Sequence, residues 1–366
     1  MKGKRTAERE RKKGVSNKLL IILLIVVIII VAVLLVMKIL NDRKTEDVQN
    51  ENIANEIEVV ELQPEPEPQI VAGTDRPIAV MIDNHESAWP QAGLNDAYIV
   101  YEIIVEGGET RLMPIFKGKS LEKIGPIRSA RHYFLDYAME NDAIYVHYGQ
   151  SPQAESDISS FDIDNINGLV QSSSDFWRDK GKYAPHNAVS STEKILKIAN
   201  QKEYRTSSDA ESVLNYVAKE FDLENGETAT DVKIPVSTLQ KVEYKYDPER
   251  KVYVRYARGE KQVDWVTGED VVTKNIIITF ADNYTLADSE NKGRQGLYNI
   301  GDKEGYYITN GKAIKITCSK PSRTEKTVYK NEAGEEIEVN DGNTFIQICP
   351  TDTEVSLAPE VETPTE

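Results

Sequence analysis

The sequence predicts an α+β protein with an N-terminal transmembrane helix, then a mixed α/β sandwich-like domain and a C-terminal all-β domain. Three observations predict this architecture. Residues 19–37 form one uninterrupted apolar run, short apolar strands alternate with helical patterns over residues 77–221, and period-two patterning without helical signals fills residues 232–350. A chain of 366 residues is long enough for two globular units.

The apolar run at residues 19–37 predicts a membrane anchor. Its nineteen residues would form a helix about 28 Å long, close to the roughly 30 Å hydrocarbon core of a bilayer. The run is too long for a cleaved signal peptide, and the basic residues of the preceding tail, residues 1–18, place that tail in the cytoplasm. We therefore expect a single-pass protein of the cell membrane that contacts the bilayer through residues 19–37 and whose globular domains are extracytoplasmic.

Two segments are predicted to lack a fold. Residues 38–76 are polar and acidic and end in QPEPEPQ, in which alternating Pro and Glu favour an extended extracytoplasmic spacer. Residues 351–366 are acidic and contain no aromatic residue, which predicts a disordered tail.

The strands of the first domain are predicted where runs rich in Ile, Val and Tyr are bounded by Gly, Asp or Asn. These runs are residues 77–83, 97–105, 111–118 and 143–149. A Gly-Gly pair between the second and third runs is typical of a hairpin. Helical spacing of apolar residues predicts helices over residues 129–141 and 191–201, the second with Ser190 and Glu193 in capping-box register.

The second domain is predicted from hairpin signals. Residues 242–259 form two period-two runs around a central proline, residues 275–282 form a buried strand, and residues 326–349 contain two further turns. Asn310-Gly311 is the strongest signal, because this pair adopts the positive φ angles of a type I′ turn.

Five sequence blocks carry a resemblance to a known family. They are RPIAVMIDNHESAWPQAGLNDAYIVYEIIVEGGETRLMPIF, IGPIRSARHYFLDYA, AIYVHYGQSPQA, FWRD and APHN. In this order they resemble the signature blocks of the YerB-like family, exported bacterial proteins without an assigned function. The resemblance covers about residues 76–350 and implies an N-terminal α/β domain followed by a β-rich domain. Many relatives resemble lipoproteins, whereas this chain has an apolar anchor, and Thr317-Cys318 stands where an aromatic residue is common.

Histidines at predicted strand ends and loops form the first candidate site. His85, His147 and His186, the last followed by Asn187, stand beside polar groups where ligands of α/β sheets bind. The alternative is that they are surface or structural histidines. With Glu102 they also have the ligand types of a metal site, but no spacing selects one, so no metal is predicted.

Arginines form the second candidate site. The candidates are Arg111, Arg128 and Arg131. The helix predicted to open at Ser129 would place them around its N-terminus, and guanidinium groups bind carboxylate or phosphate bidentately. The alternative is internal pairing with Glu102, Glu106 or Glu109.

The two cysteines leave two alternatives open. Cys318 and Cys349 each end a predicted strand of the second domain, so they form a disulfide if those strands are partners. Otherwise they are buried thiols.

The charge balance and the absence of motifs restrict the function. The chain has 44 Lys and Arg against 60 Asp and Glu, a net charge of −16, which disfavours a nucleic-acid partner. No P-loop or dinucleotide fingerprint occurs, so no cofactor is predicted. We expect a cell-envelope protein that binds an anionic small molecule, a cell-wall glycan or an envelope protein. The alternative is an envelope hydrolase that uses His and carboxylate groups. We favour binding because no complete catalytic template appears.

Overall fold

The computed structural model describes residues 17–56, 66–287 and 290–357. The chain divides into two compact units, Met1–Glu65 and Pro66–Glu366. The described part of the first unit is one helix, α1 (Asn17–Glu56). Most of the predicted cytoplasmic tail lies outside the described residues.

Helix α1 contains the predicted apolar run. Its segment Ile21–Arg43 is long and apolar enough to cross a membrane, with a mean hydropathy of 3.5. The helix continues to Glu56, so the prediction of an unfolded spacer is wrong for residues 38–56. These residues include no Gly or Pro, and the helix-breaking prolines begin only at Pro64.

The second unit is built mostly of strands. Its described helices are α2 (His132–Glu140), α3 (Pro152–Ser160) and α4 (Thr192–Gln201). Its described strands are β1 (Ile78–Val80), β2 (Ile82–Asp83), β3 (Ile99–Ile104), β4 (Thr110–Phe116), β5 (Ile144–His147), β6 (Asn165–Asn167), β7 (Trp177–Arg178), β8 (Ala188–Val189), β9 (Tyr216–Val217), β10 (Glu227–Thr228), β11 (Asp231–Pro235), β12 (Lys241–Asp247), β13 (Val252–Ala257), β14 (Glu260–Lys261), β15 (Val272–Thr273), β16 (Asn275–Phe280), β17 (Asn283–Thr285), β18 (Gln295–Leu297), β19 (Gly301–Thr309), β20 (Lys312–Lys320), β21 (Val328–Lys330), β22 (Val339–Asn340) and β23 (Thr344–Cys349). The predicted fold class, α+β with an N-terminal apolar helix and a strand-rich remainder, is confirmed.

A mixed central sheet organises this unit. Its strand order is β10-β20-β19-β16-β23-β3-β4-β1-β5-β6, with β2 paired to β4 and β21 paired to β20. Strand β23 is parallel to both of its neighbours, and β5 is parallel to β1 and β6. Because β23 lies between β16 and β3, the sheet continues across the predicted boundary at residues 222–231. All six residues of β23 are buried, as expected for a parallel strand covered on both faces.

The two faces of the central sheet bury two separate cores. Alternate residues of each strand point to opposite faces. One face, which includes Val80 and Val100, packs with Tyr244 of a second sheet, of order β11-β12-β13-β14 with β15 on β13. The other face, which includes Met81 and Tyr101, packs against α2. The central sheet is therefore covered on both faces.

Helix starts differ from the predicted ones. Helix α2 begins at His132, three residues later than predicted, with Arg131 at its N-cap. The reason is that Arg128 N donates to Met81 O and Ala130 N donates to Gly149 O, which hold this segment extended. Helix α4 is capped by Ser191, one residue after the predicted cap. Helix α3 was not predicted.

The first part of the C-terminal tail is ordered. Backbone hydrogen bonds of 2.9 and 3.0 Å join Ser356 to Lys233 of β11, and Val355 and Leu357 pack against the core. The prediction of a disordered tail is therefore wrong for residues 351–357, because β11 is an edge strand with free backbone groups. Residues 358–366 lie outside the described residues.

The two cysteines are free and buried. Cys318 lies in β20 and Cys349 in β23, and β19 and β16 stand between these strands. Three strand spacings are about 14 Å, whereas bridged cysteines have Cα atoms within about 7 Å. The disulfide alternative is therefore wrong. Burial raises the pKa of Cys318 to about 12.

Candidate functional site

A basic cavity of about 520 Å³ lies where the end of β2, the β3–β4 hairpin and the segment before α2 meet. We call it the arginine pocket. Its basic lining residues are Arg111, Arg128, Arg131, Lys292 and Arg294, and its acidic ones are Asp83, Glu106 and Glu109. His85 and His186 also line it. Basic groups therefore outnumber acidic groups here, in a protein whose net charge is −16.

The pocket brings together most of the residues predicted from the sequence. Five of the eight candidates line it: His85, Arg111, Arg128, Arg131 and His186. The other three, Glu102, His147 and Asn187, lie elsewhere. Three residues that sequence reasoning missed also line the pocket: Asp83, Lys292 and Arg294.

Asp83 organises one wall of the pocket. Its carboxylate, at the end of β2, is almost fully buried. Its Oδ2 lies 2.8 Å from His186 Nδ1 and 3.1 Å from Arg128 Nε, and its Oδ1 accepts from the backbone N–H of His85 at 3.2 Å. An acidic residue that ends a buried strand, followed closely by a histidine, was the available signal for this role.

The two pocket histidines stack on each other. Their ring centroids are 4.5 Å apart and the planes are inclined by 20°. His85 Nδ1 accepts from the backbone N–H of Ser87 at 3.1 Å, so neutral His85 carries its proton on Nε2. His186 donates from Nδ1 to Asp83, so its Nε2 is an acceptor when the ring is neutral. Neither Nε2 has a hydrogen-bond partner among the described residues.

Glu106 binds two of the arginines. Its carboxylate accepts from Arg131 Nε at 2.6 Å and from Arg131 Nη2 at 2.9 Å, and Arg111 Nη2 lies 3.9 Å away. Burial alone raises the pKa of Glu106, but the guanidinium groups of Arg131 and Arg111 outweigh it and hold that pKa below its ordinary value. The internal pairing considered from the sequence therefore occurs for Arg131 and, at a longer distance, for Arg111.

Arg128 has donor groups that lack hydrogen-bond partners among the described residues. It pairs with Asp83 through Nε, and its side chain is 27% exposed. In the described part of the chain, its two Nη groups have no hydrogen-bond partner. Arg111, in contrast, donates to Ser129 O and is almost fully buried. Burial lowers the pKa of Arg111 to about 10, so it remains a cation at neutral pH. Arg128 therefore offers a free donor fork next to a fixed positive charge.

Glu102 lies beneath the pocket rather than in it. It is fully buried, pairs with Arg255 and accepts from Thr110 Oγ1 at 2.7 Å. Thr110 itself lines the pocket, so Glu102 supports the pocket floor.

His147 and Asn187 also have supporting positions. His147 is buried, with Nδ1 2.8 Å from Gly149 O, and burial lowers its pKa. Asn187 accepts from Arg178 at 3.0 Å and donates to Asp179 O at 3.0 Å, which closes the β7–β8 hairpin loop. Of the four residues considered as metal ligands, only His85 and His186 are thus brought together. Across residues 17–56, 66–287 and 290–357, no group of three or more His, Cys, Asp or Glu is placed to hold a metal ion.

The fold and pocket define an acidic, mixed α/β protein with an N-terminal apolar helix and a basic cavity at its strand ends. Two family models match this chain: the "Protein of unknown function (DUF3048) N-terminal domain" over residues 64–205 and the corresponding C-terminal domain over residues 232–346. The chain belongs to the DUF3048 family, which confirms the YerB-like resemblance.

One relative and one solved structure that match this chain come from Bacillus subtilis. "Putative lipoprotein YerB" of strain 168 is 31% identical over 290 residues, which cover 78% of this chain and 82% of the relative. The crystal structure of the YerB protein matches with a TM-score of 0.69 at 31% identity, and the match covers 80% of this chain and 97% of that one. The similarity therefore extends over about four fifths of this chain in sequence and in fold.

Proposed function

We propose that this protein is a membrane-anchored, extracytoplasmic component of the cell envelope that binds an anionic ligand in the arginine pocket. The observation that carries the proposal is the free Nη pair of Arg128, beside Arg111 and Arg131. Guanidinium groups form charge-assisted, bidentate hydrogen bonds with carboxylate and phosphate. The ligand is an anionic small molecule, a cell-wall glycan or an acidic surface of an envelope protein.

The sequence before and within α1 supports the proposed location. Residues 1–18 contain eight Lys and Arg and precede an apolar run. This arrangement favours a cytoplasmic N-terminus and a single crossing of the membrane. A relative bears the name "Putative lipoprotein YerB", and a lipid anchor, like a transmembrane helix, would hold a folded unit at a membrane. In this chain both cysteines lie beyond residue 317, so we propose that residues 19–37, rather than a lipid, provide the anchor.

The test is thermal stabilisation by anions. A ligand that binds only the folded state adds RT ln(1 + [L]/Kd), about 2.7 kcal/mol at a hundredfold excess over Kd. We expect phosphate or sulfate to raise the melting temperature of the full-length protein in detergent, and Arg128→Ala to abolish that increase while remaining folded. Arg250→Ala, which removes an exposed arginine paired with Asp247, is the control and should respond as the wild type does. Identical curves for Arg128→Ala and wild type would contradict the proposal.

A second candidate, an envelope hydrolase, is favoured by one contact. The bond between His186 Nδ1 and Asp83 orients the ring as in acid–base catalysis and leaves Nε2 without a partner among the described residues. A hydrolase would release soluble sugar or phosphate from purified cell wall, and His186→Gln would abolish the release. A binding protein would release nothing from purified cell wall, and anions would still raise its melting temperature in variants designed to abolish hydrolysis.

A further inference from the structure

A second cavity, of about 530 Å³, adjoins the arginine pocket and shares His186 with it. Its walls include the aromatic residues Trp89, Tyr183 and Trp265. We call it the tryptophan pocket. Two of the three tryptophans of the chain line this one cavity. Tryptophan and tyrosine are enriched where proteins bind partners, because each combines a large apolar face with a polar group.

Lys182 joins two of the three segments that form the tryptophan pocket, and Trp265 belongs to the third, between β14 and β15. From the β7–β8 hairpin loop, Lys182 Nζ donates to Ala88 O at 3.0 Å and also to Trp89 O, in the loop that follows β2. The same Nζ lies 4.2 Å from the centroid of the Trp265 ring. The same two loops supply His85 and His186 to the arginine pocket. The two cavities are therefore built on one framework and have a fixed relative position.

The side chain of Tyr183 at this cavity has no evident structural role. It is 91% exposed and makes no ring contact or hydrogen bond with any residue that the structure describes, whereas the backbone O of Tyr183 accepts from the backbone N–H of His186 at 2.9 Å. A single exposed aromatic residue is ordinary, but this one stands beside two tryptophans. Glu86 and Ser87, also exposed, line the same cavity and offer acceptors and a hydroxyl group. Aromatic faces with a few polar groups are typical of small-molecule pockets of this size.

We infer that the two pockets form one site for an anionic saccharide, with the sugar ring in the tryptophan pocket and its phosphate or carboxylate in the arginine pocket. The apolar face of a sugar ring packs on aromatic side chains, while its hydroxyl groups need donors and acceptors such as Ser87 and Glu86. The shared wall at His186 makes the two subsites contiguous, so one molecule contacts both. This inference rests on the proposed anion-binding function.

The test compares four ligands on the full-length protein in detergent. The ligands are inorganic phosphate, N-acetylglucosamine, N-acetylglucosamine 1-phosphate and glucuronic acid, with Kd measured by calorimetry. Tyr183→Ala removes an exposed ring from the tryptophan pocket. Tyr298→Ala is the matched control, because Tyr298 is 60% exposed, stacks on Tyr284 and lines neither pocket. Tryptophan fluorescence is a second readout, since Trp89 and Trp265 lie in the proposed sugar subsite.

We expect at least one of the two anionic saccharides to bind at least tenfold more tightly than inorganic phosphate and to change tryptophan fluorescence. Tyr183→Ala should remove most of this advantage and leave phosphate binding unchanged, whereas Tyr298→Ala should change neither. Equal affinities for phosphate and both anionic saccharides would overturn the inference but would not contradict the anion site. An unchanged saccharide Kd in Tyr183→Ala would have the same consequence. Absence of binding by phosphate and by both anionic saccharides would instead overturn the proposed function. Tight binding of neutral N-acetylglucosamine would contradict the need for an anion.

Discussion

Arg255 and Glu102 form an ion pair with both side chains fully buried, at 2.5 Å between Nη2 and Oε2. Glu102 belongs to β3 of the central sheet and Arg255 to β13 of the second sheet, so the pair joins the two layers. Gln347 of β23 donates to the same carboxylate oxygen at 2.9 Å. Through Thr110, the network also supports the floor of the arginine pocket.

Breaking the Arg255–Glu102 ion pair should lower the stability of the protein. Arg255→Met leaves the Glu102 carboxylate buried without its cation, and we expect the free energy of unfolding to fall by about 3–5 kcal/mol. Urea denaturation measures this free energy of unfolding. Arg205→Ala, which removes an exposed partner of Asp142, should cost no more than about 1 kcal/mol. The double variant Arg255→Met/Glu102→Gln should recover part of the loss. A loss from Arg255→Met as small as that of the surface control would refute the assigned role.

A β-branched residue in the turn between β19 and β20 should destabilise the protein. Asn310 and Gly311 have φ angles of 49° and 75°, as a type I′ turn requires. A Cβ at Gly311 would also lie 3.1 Å from two ring carbons of Tyr246. We expect Gly311→Val to destabilise the protein by roughly 1–3 kcal/mol in urea denaturation. The control is Gly268→Val, at a φ of 73° with open space around it, and it should cost less. An unchanged unfolding midpoint for Gly311→Val would contradict this prediction.

Asp136 should make stability depend on pH. Burial raises the pKa of its carboxyl group to about 6, despite the ion pair with Arg323. Between about pH 4 and pH 6 the folded state therefore binds a proton that the unfolded state has lost, so this contribution to stability falls as pH rises. We expect the free energy of unfolding of the wild type, relative to Asp136→Asn, to decrease by about 2–3 kcal/mol from pH 4 to pH 7.

The matched control for that titration is Asp157→Asn. Asp157 is the other carboxylate that binds Arg323, so this variant separates the loss of an ion pair from the loss of the buried titrating group. Its stability should follow the wild-type pH dependence. If Asp136→Asn and the wild type instead show parallel pH profiles, the carboxyl group of Asp136 does not titrate in this range.

The proposed topology predicts a protease pattern. Added protease should digest the protein in intact cells and leave a membrane-bound N-terminal fragment ending near residues 41–76, because the proposed topology exposes the second unit on the cell exterior. After permeabilisation, residues 1–18 should also become accessible. A cytoplasmic protein that stays intact until permeabilisation is the control. Survival of the full-length chain in intact cells would contradict this topology and indicate the opposite orientation.

Local patterns predicted much of the fold. The apolar run of α1, the strands around Ile78, Ile99 and Ile144, and the Asn310-Gly311 turn were all evident, because periodicity and turn chemistry depend on neighbouring residues. Several errors occurred where a distant partner decided the outcome. Arg128 to Ala130 are extended rather than helical because their backbone groups bond to Met81 and Gly149.

The sequence by itself determined the apolar N-terminal helix, the acidic character, the family and five of the residues that line the arginine pocket, because residue type and short-range spacing carry that information. Only the tertiary structure decided which of those residues meet. It separated Glu102 and His147 from His85 and His186, placed Cys318 and Cys349 three strands apart, and brought Lys292 and Arg294 to the pocket. Strand order sets these distances, and it follows from long-range pairing of β23 with β3 and β16, which no local pattern encodes.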